Sequence, residues 1–131
     1  GGPRQNATTA LSTAAAAVLR EMVPGTLYVV GPGTSAGSVM LAAGHTPTTL
    51  GTDAMLDGQV VALDASATTL DTLAAGRPVK LILGVTGQQG FLLGRGNQQI
   101  SPTLIARAGP KGLIVLATES KLASLAQPRL W

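Results

Sequence analysis

Two glycine-rich segments contain the residue types best suited to hold an anionic ligand. The first, Gly31-Pro32-Gly33-Thr34-Ser35, follows a short apolar run and precedes a helix-forming segment. Glycines let the backbone turn tightly beside a ligand, and a helix N-terminus offers free N–H groups. Thr34 and Ser35 add hydroxyl donors. The segment suits a phosphate or a carboxylate, but an ordinary strand-to-helix turn has the same composition, and both interpretations stay open.

The second segment runs from Gly87 to Pro102 and reads GQQGFLLGRGNQQISP. It follows the strongest predicted central strand, residues 79–86, so we expect it at the carboxyl edge of a parallel sheet, where ligands usually bind. Arg95, between two glycines, can direct its guanidinium onto a phosphate. The three amides Asn97, Gln98 and Gln99 supply uncharged donors and acceptors. Long loops in compact domains are usually functional, which predicts a ligand or subunit-contact role.

The remaining polar residues give weaker hypotheses. Asp53 and Asp64 each fall near the end of a predicted strand, where either could act as a general base or accept a ribose hydroxyl, although turn and cap roles are commoner for aspartate. His45 is interpreted as a loop residue. Lys121 lies in the first turn of a predicted helix, where a nearby phosphate would explain it, although a solvated lysine is the simpler interpretation.

These considerations predict one anionic site and assign no catalytic residue and no metal ligand. The predicted ligand-binding residues are Gly31, Gly33, Thr34, Ser35, Asp53, Gly90, Gly94, Arg95, Gly96, Asn97, Gln98, Gln99 and Ser101.

Composition narrows the class of protein. The chain has 131 residues, of which 45% are hydrophobic and 11% charged, enough for one domain with a buried core. Aromatic residues make up 2%, and the basic residues form no run, so nucleic-acid binding is not expected. There is no cysteine. No apolar stretch is long enough to cross a membrane and no signal peptide is recognised, so we expect a cytoplasmic protein.

Hydrophobic periodicity predicts the elements that position the two loops. The predicted helices cover residues 6–23, 36–43, 66–75, 101–109 and 119–126, with Asn6 or Thr8 capping the first. The predicted strands cover residues 26–30, 48–51, 59–64, 79–86 and 113–118, with a turn at Asp57-Gly58. Continuous apolar strands predict a mainly parallel sheet with helices on both faces. The expected fold is therefore a single three-layer, Rossmann-like α/β domain over residues 1–131.

Several segments, taken in order, resemble the ATP-NAD kinase-like family, which includes the acetoin-catabolism protein X relatives. GRGNQQISP at 94–102 is the most specific, and LYVVGPGTS at 27–35, TLGTD at 49–53, VALDA at 61–65 and LIVLATESKLASL at 113–125 agree with it. The resemblance covers about residues 26–131. Gly87-Gln88-Gln89-Gly90 departs from the paired glycine usual at that point in the family.

This resemblance implies that the chain is a C-terminal fragment of a larger, kinase-like protein. The GGDGT motif that marks nucleotide binding and catalysis in NAD kinases belongs to an upstream domain and has no match here, so the isolated domain is expected to be inactive. The full-length protein would be an ATP-dependent phosphotransferase using NAD or ATP. Contacts with an N-terminal kinase-like domain and a homo-oligomer are implied as partners, with a phosphorylated small molecule as ligand.

Two alternatives stay open. The loop order is also similar, by topology alone, to the glucosamine-phosphate deaminase and ribose-phosphate isomerase fold, which would make the domain a phosphosugar isomerase or lactonase-like enzyme with Asp53 or Asp64 as base. The third possibility is a structural oligomerisation domain, because few charged residues are available to cover the surface.

Overall fold

A computed structural model describes the backbone of residues 3–48, 50–84 and 100–116, with side chains from residue 11 onward. Its helices are α1 (Pro3–Arg20), α2 (Thr34–Ala42), α3 (Ala67–Ala74) and α4 (Pro102–Ala108). Its strands are β1 (Leu27–Val30), β2 (Asp53–Leu56), β3 (Gln59–Ala62), β4 (Val79–Gly84) and β5 (Leu113–Leu116), and a short 3₁₀ turn spans Pro110–Gly112. The predicted helix at 119–126 lies outside the described residues.

The five strands form one sheet in the order β3-β2-β1-β4-β5. β1 pairs in parallel with β4, and β4 with β5, whereas β2 is antiparallel to both of its neighbours. The prediction of a mainly parallel sheet was therefore wrong, and the sheet is mixed. The reason lies at Asp57-Gly58, where φ values of 55° and 78° join β2 to β3 in a two-residue hairpin.

The hairpin also explains why the predicted position of one strand was wrong. A two-residue loop requires strands directly on either side of it, and β2 accordingly occupies Asp53–Leu56 instead of the predicted 48–51. Asp53 thus begins a strand rather than following one. The first helix was also displaced, because Pro3 occupies its first position, where a missing N–H costs nothing, in place of a cap at Asn6 or Thr8.

Helices cover both faces of the sheet, as the continuous apolar strands predicted. α1 and α2 lie on one face, where Tyr28 and Val30 of β1 pack with Val39 and Met40 of α2. α3 and α4 lie on the other, where Leu70 and Leu104 are completely buried against alternate strand residues. The α/β class and its three layers agree with the sequence prediction; no particular fold family is established by this architecture.

Candidate functional site

The carboxyl ends of the three parallel strands define one edge of the sheet, here called the carboxyl edge. β1, β4 and β5 end there at Val30, Gly84 and Leu116. α2 follows β1, and α4 precedes β5, so both helices begin at this edge. α3 follows β3, and β3 runs in the same direction as β1, so α3 begins at this edge as well. Three helix N-termini, each carrying a partial positive charge, thus face the same end of the molecule.

The start of α2 differs from the other two. Its N-cap is Gly33, with φ 108° and ψ 161°, and no side chain caps the helix. Glycine tolerates this backbone conformation, whereas an L-residue with a capping side chain would be strained in it. The first turn contains no acidic residue. Among the residues that the structure describes, no side chain caps the opening N–H groups of α2, and uncapped N–H groups of this kind are the ones that bind anions at helix ends.

The other two helix starts are closed by serine. The Ser66 hydroxyl accepts a hydrogen bond from Thr69 N at 3.1 Å, and the Ser101 hydroxyl accepts one from Leu104 N at 3.1 Å. Ser101 also donates to an Asp71 carboxylate oxygen at 2.9 Å, which links α4 to α3. Ser101, which the sequence analysis assigned to the ligand site, therefore has two partners inside the protein. Asp71 lies 30 residues before Ser101, and no local pattern predicted that the two side chains meet.

Two glycines hold the start of α2 against the end of β4. A Cβ at Gly84 would lie 2.8 Å from Ser35 Cβ and 3.2 Å from Ala36 N, so no larger residue fits there without displacing the helix. A Cβ at Gly31 would lie 2.8 Å from Leu83 Cδ2. Gly31 N also donates to Ile82 O at 2.8 Å. The first glycine-rich segment is thus in direct contact with the end of β4, three residues before the second segment begins.

The two hydroxyl residues of the first glycine-rich segment differ in their exposure to solvent. Thr34 is exposed, whereas Ser35 is 6% exposed and lies at the contact with Gly84. The Ser35 carbonyl accepts a hydrogen bond from Ser38 Oγ at 2.6 Å. Thr34 therefore faces solvent, and Ser35 lies at the base of the uncapped helix start.

Asp53 lies at the same edge but is bound to its own chain. It pairs with Val30 across the sheet and is 1% exposed. One carboxylate oxygen accepts from Thr48 Oγ1 and from Asp64 N, both at 2.8 Å, and the other accepts from Thr48 N at 3.0 Å. These bonds attach the loop before β2 and the end of β3 to one buried carboxylate. They give Asp53 a structural role, the commoner fate of aspartate, although its position in the sequence did not identify Thr48 and Asp64 as partners.

The predicted site residues divide into two groups. Gly31, Gly33, Thr34, Ser35, Asp53 and Ser101 lie at the carboxyl edge, and Asp53 does so at the beginning of a strand, not near the end of one as predicted. Gly90, Gly94, Arg95, Gly96, Asn97, Gln98 and Gln99 lie outside the described residues. Gly84, the last described residue before them, ends β4 at the carboxyl edge, and Ile100, the first described residue after them, is buried next to the start of α4.

Charge is distributed unevenly over the described side chains. Asp53, Asp64 and Asp71 lie at the carboxyl edge, and every described lysine and arginine side chain lies toward the opposite edge. Attraction of an anion by the described part of the carboxyl edge therefore depends on backbone N–H groups. In the ranges 3–48, 50–84 and 100–116, no three His, Cys, Asp or Glu residues are grouped to hold a metal ion. None of the helices described there is long and apolar enough to cross a membrane.

Comparison with known proteins identifies the family. The sequence profile of the ATP-NAD kinase C-terminal domain matches residues 26–130, from the residue before β1 almost to the end of the chain. Searches of curated proteins and of solved structures gave no match. The matched range contains the sheet, the uncapped start of α2 and both glycine-rich segments. The chain therefore belongs to the ATP-NAD kinase C-terminal domain family.

Proposed function

We propose that this domain binds a phosphorylated, nucleotide-type ligand at the carboxyl edge, as the C-terminal part of an ATP-dependent NAD kinase-like phosphotransferase. The observation that carries the proposal is the uncapped start of α2. Within residues 3–48, 50–84 and 100–116 no side chain caps its N–H groups, while the neighbouring helices at the same edge are both capped by serine. A phosphate oxygen placed there would accept those hydrogen bonds and meet the positive end of the helix dipole.

The surrounding residues favour a phosphate over a larger group at this point. Gly31 and Gly33 have no side chains, which allows close approach to the backbone, and Thr34 offers an exposed hydroxyl beside it. Asp53 already accepts three hydrogen bonds, so its role supports the shape of the site more directly than proton transfer. This arrangement favours ligand binding over the phosphosugar isomerase alternative.

The second glycine loop would supply the charge and selectivity that the described residues lack. We propose that Arg95 pairs with phosphate and that Asn97, Gln98 and Gln99 recognise uncharged parts of the ligand. NAD and ATP are the ligands implied for the full-length protein. The isolated domain is expected to bind without catalysing transfer, because the family's GGDGT motif has no match in the chain.

The most direct test substitutes the start of α2. Thr34→Glu places a carboxylate at the uncapped N-terminus, where it takes over the N–H groups and repels phosphate. Thr68→Glu places the same charge in the first turn of α3, which Ser66 already caps, and is the matched control. Thermal unfolding would be measured against NAD, NADP, ATP and sugar phosphates at one ionic strength.

We expect the unaltered chain and Thr68→Glu to be stabilised by the same ligand, and Thr34→Glu to lose that response. A ligand present at about 100 times its dissociation constant stabilises by about 2.7 kcal/mol, which is easily resolved. An equal response in all three proteins would exclude the start of α2 from the site.

Arg95→Ala tests the contribution of the second loop. If the guanidinium pairs with phosphate, the substitution weakens binding of the same ligand by about 2 kcal/mol without lowering the melting temperature of the free domain. Titration calorimetry measures the affinity. An unchanged affinity would remove Arg95 from the site and leave the start of α2 as the proposed anion contact.

We also propose that the domain self-associates, since apolar side chains are exposed near β3. Leu50 is 89% exposed and Leu63 54% exposed, and the residues next to them are in contact because the Asp64 carboxylate lies against Gly51. Leu50→Ser together with Leu63→Ser should convert a dimer to a monomer in light scattering. A monomeric parent chain would exclude a homo-oligomer through this surface. The same surface is available for contact with an N-terminal kinase-like domain.

A further inference from the structure

The amino edge of the sheet, opposite the carboxyl edge, collects the positive charge of the described residues. Arg20 ends α1, Arg107 lies in the last turn of α4, and Arg77 precedes β4. Lys80 is the second residue of β4, and Lys111 lies in the 3₁₀ turn before β5. The acidic residues at this edge are Glu21 and Asp57, and Asp57 accepts a hydrogen bond from Gly25 N at 2.9 Å.

A small cavity opens among these charges on the α1 side of the sheet. Its volume is about 90 Å³, and its lining includes Val18, Glu21, Tyr28, Lys80, Lys111 and Ile114. Two lysines and one glutamate give this lining a net charge of +1. Since one water occupies about 30 Å³ in the liquid, the space corresponds to a few waters or one small oxyanion. It is too small for a nucleoside.

The fold holds the two lysines beside this one cavity. A Cβ at Gly112 would lie 2.9 Å from Val79 O and 3.7 Å from Lys80 Cα, so the turn carrying Lys111 lies directly against the start of β4. On the other side, Lys80 is the register partner of Tyr28, which is 2% exposed. Lys80 and Lys111 thus bring two positive charges to the lining of one cavity that holds a single carboxylate, Glu21, and an anion bound there would offset the remaining charge.

We infer that this cavity binds a single phosphate-sized oxyanion between Lys80 and Lys111. The site is separate from the proposed nucleotide site, which lies at the other end of the strands. Each lysine can form a charge-assisted hydrogen bond with an anion oxygen, whereas the Glu21 carboxylate in the same lining repels an anion, so binding depends on both lysines. The anion is either free inorganic phosphate or the phosphate end of a larger molecule that extends into solvent.

The test is an amide NMR titration of the whole chain with inorganic phosphate, at an ionic strength held constant with chloride. We expect saturable shifts at Tyr28, Lys80 and Leu113. Lys80→Gln and Lys111→Gln should each raise the dissociation constant about tenfold, the effect of losing one charge-assisted hydrogen bond. Lys80→Arg, which keeps the positive charge that Lys80→Gln removes, should bind phosphate about as tightly as the unaltered chain. Arg107→Gln, which removes a charge from the same edge but outside the cavity, should leave the constant unchanged.

Three results would overturn the inference. They are amide shifts that grow linearly with phosphate concentration without saturating, an equal loss of phosphate affinity in Arg107→Gln, or shifts confined to residues 34–36. The last would assign phosphate to the start of α2, so failure of this site and failure of the proposed function are distinguishable. Circular dichroism melting of each variant verifies that it is folded. With the site confirmed, equal affinity for phosphoserine identifies the phosphate end of a larger molecule as a ligand, and binding of inorganic phosphate alone identifies the free ion.

Discussion

The helices α2 and α4 both begin at the carboxyl edge, yet the two N-termini are completed in opposite ways. α4 starts at Ser101, whose hydroxyl accepts from Leu104 N and donates to Asp71, so its end is closed by the protein itself. α2 starts at Gly33, which has no side chain to offer. The comparison indicates that Gly33 does more than fit a narrow space: it provides no hydroxyl, so in the described part of the chain the opening N–H groups of α2 have no cap of the kind that serine supplies at α4.

The largest expected loss of stability comes from a substitution that separates the start of α2 from the sheet. Gly84→Ala adds a Cβ that would lie 2.8 Å from Ser35 Cβ and 3.2 Å from Ala36 N. We expect a loss of about 1–3 kcal/mol in the free energy of unfolding, measured with urea, because the backbone of α2 must shift.

A double variant sharpens this prediction. Ser35→Gly removes the Cβ that the new methyl group meets, so Gly84→Ala with Ser35→Gly should recover part of the stability lost by Gly84→Ala. If the effects of the two substitutions on the free energy of unfolding are instead additive, the contact between β4 and α2 is not the cause of the loss.

Asp53→Asn should have the next largest effect. Whichever way the amide turns, its NH₂ group faces either Thr48 N or Asp64 N, so one backbone N–H loses its acceptor. The expected loss is about 1–3 kcal/mol. Asp57→Asn is the control, because the remaining carbonyl oxygen can still accept from Gly25 N, and it should change stability by about 0.5 kcal/mol or less. Equal melting temperatures for the two variants would contradict the structural role of Asp53.

The smallest expected changes in stability come from substitutions at the three helix starts, which these variants compare directly. Ser101→Ala should cost about 1–2 kcal/mol, because it removes a cap and the bond to Asp71. Ser66→Ala removes a cap alone and should cost about 1 kcal/mol. Thr34→Ala removes no cap and should change the unfolding free energy by about 0.5 kcal/mol or less in the absence of ligand. A loss at Thr34 as large as that at Ser101 would mean that α2 is capped after all.

Local chemistry made some parts of this molecule predictable. Ser101-Pro102 predicted the start of α4, Gly109 its end, and the apolar run before Gly31 predicted β1 and the loop that follows it. Family membership was also predictable, since GRGNQQISP and its companion segments lie within the range that matches the family profile.

The errors came from contacts between distant residues. Asp57-Gly58 was recognised as a turn, but its consequence, an antiparallel β2 in an otherwise parallel sheet, depends on which strands pair. The bonds from Thr48 and Asp64 to Asp53 depend on how the loop folds back over β2, and no spacing rule predicts them. The contact of Gly84 with Ser35 joins positions 49 residues apart and has no local signature.

The central claim is that the open start of α2 accepts a phosphate group. An amide NMR titration of the domain with NADP or ATP tests it most directly, because each N–H in question reports individually. We expect the amides of Thr34, Ser35 and Ala36 to shift most and to saturate together, while those of Thr69 and Leu104, already bonded to serine, remain unchanged. Saturable binding that leaves residues 34–36 unshifted would contradict it.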